Sequence, residues 1–61
     1  MQYHTRLKRY FDEHYGDYEE TAEWYVDPDI NMWKFKINEL EVIITLICND
    51  QGVVFERRTK C

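Results

Sequence analysis

Residues 33–55 read WKFKINELEVIITLICNDQGVVF. Trp33, Phe35 and Ile37 alternate with Lys34 and Lys36; Leu40, Val42, Ile44, Leu46 and Cys48 alternate with Glu41, Ile43, Thr45 and Ile47; Val53 and Phe55 flank Val54. A period of two marks strands with one buried face. Asn38-Glu39 and Asn49-Asp50-Gln51-Gly52 interrupt that period with turn-forming residues. The pattern predicts three strands, about residues 31–37, 40–48 and 53–58, joined as antiparallel hairpins.

Register tests this reading, because a one-residue slip sends every side chain of a strand to the other face. A two-residue loop at Asn38-Glu39 sets Ile37 opposite Leu40, Phe35 opposite Val42, Trp33 opposite Ile44 and Lys36 opposite Glu41. A four-residue loop at 49–52 sets Cys48 opposite Val53, Leu46 opposite Phe55 and Ile47 opposite Val54. Both loops sort the strands into the same two faces.

The same test extends upstream into an acidic, aromatic segment. If Asp27-Pro28-Asp29-Ile30 forms a four-residue turn, Trp24 falls opposite Trp33, Ala22 opposite Phe35 and Glu23 opposite Lys34. An aromatic pair inside and an opposite-charge pair outside are both cross-strand stabilisers, so a first strand is expected at about residues 22–26. Asp27 to Asn31 also resembles the start of a calcium loop, but the glycine and closing glutamate are missing.

Ahead of it, Tyr3, Leu7, Tyr10, Phe11 and then His14 or Tyr18 recur at three- and four-residue steps, an amphipathic helix of about residues 2–15 with Gly16 as its left-handed cap. The expected fold is α+β: one small domain over residues 1–61, with the N-terminal helix packed on one face of a four-stranded antiparallel β-meander. The covered face would hold Ala22, Trp24, Val26, Trp33, Phe35, Ile37, Leu40, Val42, Ile44, Leu46, Cys48, Val53 and Phe55, all uncharged.

One helix covers one face, so the other is left for water or a partner. It would carry Glu23, Lys34, Lys36, Glu41, Thr45, Glu56 and Arg58 together with Tyr25, Met32, Ile43, Ile47 and Val54. Those five apolar residues are the candidate partner-binding patch, for a protein target or a second copy. The unprotected first and last strands are a related route. A second candidate is the acidic run Asp12, Glu13, Asp17, Glu19 and Glu20, which could stand in for phosphates before a nucleic-acid-binding protein.

Other classes find less support. The net charge of −4 disfavours general nucleic-acid binding, and Glu23 and Glu41 are expected to neutralise Lys34 and Lys36 on the sheet, which leaves single-stranded binding around Tyr25 a third reading. The chain has no serine, no glycine-rich phosphate loop and no cysteine pair at metal or redox spacing, so neither an enzyme, a cofactor nor a small-molecule substrate is expected. His4 and His14 lie ten residues apart, about 15 Å along a helix, too far to share a metal. No apolar run approaches a membrane span of about 20 residues, and Cys48 and Cys61 fit lone thiols of a reducing compartment. The sequence therefore suggests a non-enzymatic interaction module in the cytoplasm.

Overall fold

The computed structural model describes residues 3–25 and 31–61. Helix α1 spans Tyr3–Tyr15, and a 3₁₀ turn, Gly16–Tyr18, follows it. Four strands, β1 (Glu23–Trp24), β2 (Met32–Ile37), β3 (Val42–Cys48) and β4 (Val54–Lys60), form one antiparallel sheet in the order β1-β2-β3-β4. The α+β meander expected from the periodicity is thus the observed fold. Val26 as a core residue and the turn at Asp27–Ile30 lie outside the described residues.

The helix packs through a stripe at four-residue steps, Leu7, Phe11 and Tyr15, all buried. These meet Trp33, Phe35 and Ile37 of β2 and Ile44, Leu46 and Cys48 of β3. Phe11 is the hub, with ring centroids 4.8 Å from Trp24, 5.1 Å from Phe35 and 6.3 Å from Tyr15. Of the two residues expected to continue the helix stripe, His14 is exposed, its ring tilted against Tyr10 at 4.2 Å, and Tyr18 is half-buried against the core, while Tyr15 takes the inner position on the helix. Gly16 is no left-handed cap, since among the described glycines only Gly52 has positive φ. The chain instead tightens into the 3₁₀ turn, closed by Glu19 N donating to Gly16 O.

Both hairpins use other loops than the periodicity suggested. Between β2 and β3 the loop is Asn38–Glu41, with Leu40 N donating to Ile37 O and Glu41 N to Asn38 O. The register becomes Ile37↔Val42, Phe35↔Ile44 and Lys36↔Ile43. This is a two-residue slide, so faces are kept, but Leu40 leaves the core for the turn, where it is 42% exposed. The β1–β2 pairing slides by two as well, giving Trp24↔Phe35 and Glu23↔Lys36.

Between β3 and β4 the difference is one residue, and it turns β4 over. Asn49 pairs with Val53 across Asp50-Gln51-Gly52, Asn49 N donating to Val53 O at 3.0 Å. The Asn49 side chain fixes the loop: its Oδ1 accepts from Gln51 N at 3.0 Å and from Val53 N at 2.9 Å. Gly52 supplies the left-handed position at φ 83° that a three-residue hairpin needs. The register is therefore Cys48↔Val54, Ile47↔Phe55, Leu46↔Glu56 and Ile44↔Arg58. Val54, Glu56 and Arg58 face the helix side, while Phe55 and Arg57 face away. Val53 and Phe55, expected in the core, are 50% and 55% exposed.

Candidate interaction surface

The face away from α1 is built in rows by the observed register. One row is Met32, Ile47 and Phe55; the next is Lys34, Thr45 and Arg57, with Tyr25 beside Lys34; the third is Lys36, Ile43 and Thr59, with Glu23 beside Lys36. Met32, Lys34, Ile43, Thr45, Ile47, Arg57 and Thr59 line an open concavity of about 330 Å³. Ile47 is 38% exposed, and Tyr25 and Phe55 are each 55% exposed.

Four of the five expected patch residues, Tyr25, Met32, Ile43 and Ile47, thus share this face. Val54 does not: the register turns it toward the helix, where it is half-buried against the core. Phe55, Arg57 and Thr59 take the place that Val54, Glu56 and Arg58 were expected to hold. The missed signal was Gly52, because a glycine at the third position of Asp50-Gln51-Gly52 marks a hairpin closed by Asn49 and Val53.

The exchange alters the charge of the face. Glu56 has gone to the other side and Glu41 sits in the turn, so the expected Lys36–Glu41 pair is absent from the ladder. Glu23 is the one carboxylate in these rows, against Lys34, Lys36 and Arg57. Among the described residues none of those three cations forms an ion pair. Glu23 accepts hydrogen bonds from Tyr25 Oη at 3.3 Å and from Asn38 Nδ2 at 3.4 Å.

On the helix side, Glu56 and Arg58 are drawn into a network that joins α1 to β4. The Glu56 carboxylate accepts from Tyr15 Oη at 2.6 Å, Tyr10 Oη at 3.2 Å and Arg58 Nε at 3.0 Å, and Arg58 also donates to Tyr15 Oη at 3.0 Å. Burial alone would push the Glu56 carboxyl up, but the hydrogen bonds from Tyr15, Arg58 and Tyr10 outweigh it and hold the group below its ordinary value. Burial and the Glu56 hydrogen bond push the Tyr15 phenol up to about 12, against the opposing pull of Arg58.

The acidic candidates are partly occupied. Lys8 Nζ lies 2.8 Å from Asp12 and 3.1 Å from Glu19, and Arg9 Nε 3.2 Å from Glu13. Asp17 and Glu20 have no ion-pair partner among the described residues. Both cysteines are free thiols, Cys48 buried and Cys61 exposed. His4 stands edge-on to Trp33 at 5.2 Å. No helix among the described residues is long and apolar enough to cross a membrane.

No protein family, curated protein or solved structure matches this chain.

Proposed function

We propose that the protein is a small non-enzymatic binding module of the cytoplasm, acting as a regulator or inhibitor by docking its open sheet face on a protein partner that presents carboxylates around an apolar contact. The carrying observation is the composition of that face: Tyr25, Met32, Ile43, Ile47 and Phe55 interleaved with Lys34, Lys36 and Arg57, on a chain whose net charge is −4. Met32, Ile47 and Phe55 are cross-strand neighbours and so form a patch where single scattered side chains would not, and the three cations beside them have no ion-pair partner among the described residues. The cations select an acidic partner and steer its approach, while the rings and aliphatic side chains supply apolar burial.

The acidic decoy is the weaker reading, because Lys8 and Arg9 already engage Asp12, Glu13 and Glu19. Single-stranded nucleic acid would use the same cations and stack on Tyr25 and Phe55, but it must approach a molecule of like net charge. The test is capture of the partner from the source cell with wild-type protein, then with Ile47→Lys, with Lys34→Glu/Arg57→Glu, and with Asp17→Asn/Glu20→Gln. Loss of one protein partner with the first two variants and retention with the third is expected, with native-like circular dichroism throughout. Retention by Ile47→Lys rules out the open face. Loss only with the third supports the decoy, and oligonucleotide binding at low salt that is lost with Lys34→Glu/Arg57→Glu supports the nucleic-acid reading.

A further inference from the structure

The meander ends in a long unpaired edge. β4 pairs with β3 along its whole length, and among the described residues no strand lies on its other side. Two bonds fix which of its backbone groups remain available: Asn49 N donates to Val53 O, and Cys61 N to Glu41 O, both at 3.0 Å. Odd-numbered residues of the strand therefore bond to β3. In an antiparallel ladder the intervening residues direct their N–H and C=O groups the other way, so those of Val54, Glu56, Arg58 and Lys60 point outward. The opposite edge, β1, has only two residues, a length that blunts pairing.

We propose that this edge is a self-association strand, at which β4 of a second copy adds antiparallel to β4 and continues the sheet across a two-fold axis. Outward-directed residues pair only with outward-directed residues, which restricts the register. The register of full overlap sets Glu56 opposite the partner's Arg58 and Arg58 opposite the partner's Glu56, with Val54 opposite the partner's Lys60. Symmetry thus makes the strand complementary to itself, with two opposite-charge pairs on the helix side. On the open face Phe55 lies opposite the partner's Thr59, and the single like-charge contact is Arg57 with the partner's Arg57 on the axis. An unrelated strand has no such built-in match. A chain of 61 residues, which buries only about 60% of its unfolded surface, also gains stability from association.

Amide exchange followed by NMR on the wild-type chain, at millimolar concentration and after hundredfold dilution, reads this directly. The amides of Glu56, Arg58 and Lys60 should exchange slowly in the concentrated sample and quickly after dilution, while those of Phe55, Arg57 and Thr59 stay protected in both. Sedimentation supplies the second measurement. Glu56→Arg and Arg58→Glu should each be monomeric alone and form a one-to-one dimer when mixed, and Arg57→Thr should tighten association about two- to fivefold. A wild-type monomer at millimolar concentration overturns the proposal. So does a dimer whose outward amides exchange quickly even in the concentrated sample, or one abolished by Ile47→Lys. The exchange measurement needs no substitution, so it decides the matter even if a charge variant fails to fold.

Discussion

Glu41 is the non-glycine residue at positive φ, 55°, among those described. It ends the Asn38–Glu41 loop, and its carbonyl accepts from Cys61 N. A side chain in the left-handed region costs about 1–2 kcal/mol, and glycine escapes that cost at some expense in unfolded-chain entropy. Glu41→Gly is therefore expected to stabilise the protein by up to about 1 kcal/mol, the upper limit corresponding to a rise of about 4–8 °C in the melting temperature. Thermal denaturation followed by circular dichroism checks it, and a lower melting temperature would show that the Glu41 side chain contributes more than its backbone strain costs.

At the scale of elements, one side chain governs which way β4 faces. Asn49 Oδ1 holds the N–H groups of Gln51 and Val53, and Gly52 turns the chain between them. Asn49→Ala removes both bonds and is expected to cost about 1–2 kcal/mol in urea denaturation. It also removes the two side-chain bonds that favour the observed hairpin over the four-residue loop, in which Val53 and Phe55 would be on the helix side, and leaves Gly52 and the Asn49 N to Val53 O bond to hold the register. NOEs from Phe55 to Ile47 and Met32 report the observed register, and contacts from Phe55 to Leu46 would report the other. The existence and order of the elements were legible because alternation over Trp33–Cys48 and the three- and four-residue steps over Tyr3–Tyr15 reflect single-strand and single-helix periods. Loop closure was less legible, since it depends on where backbone donors find acceptors. Sliding by two kept Met32, Ile43 and Ile47 on the expected face, whereas sliding by one removed Val54 and supplied Phe55.

Across the whole molecule, the Tyr10–Tyr15–Glu56–Arg58 network ties the N-terminal helix to the last strand. Its titration gives global stability two limits. Glu56 is held below its ordinary value of 4.5, so the stability it contributes is present above that pH and is lost as pH falls through the lower folded value. Tyr15 is raised from 10.0 to about 12, so its contribution is complete below pH 10 and is lost as pH rises toward 12. Unfolding free energy measured across pH should show a plateau that falls at both ends. Tyr15→Phe should flatten the alkaline limb in part, since Tyr3, Lys8 and Tyr10, also raised, contribute to it as well. An unchanged alkaline limb would remove Tyr15 from the account. The sequence by itself determined the helix, the meander and the part of the apolar layer formed by Leu7, Phe11, β2 and β3, because these follow from side-chain periodicity along one element. Only the tertiary structure decided that Glu56 and Arg58 brace the helix while Phe55 and Arg57 join Lys34 outside. That choice rests on one loop residue and on hydrogen bonds between residues that no local period relates.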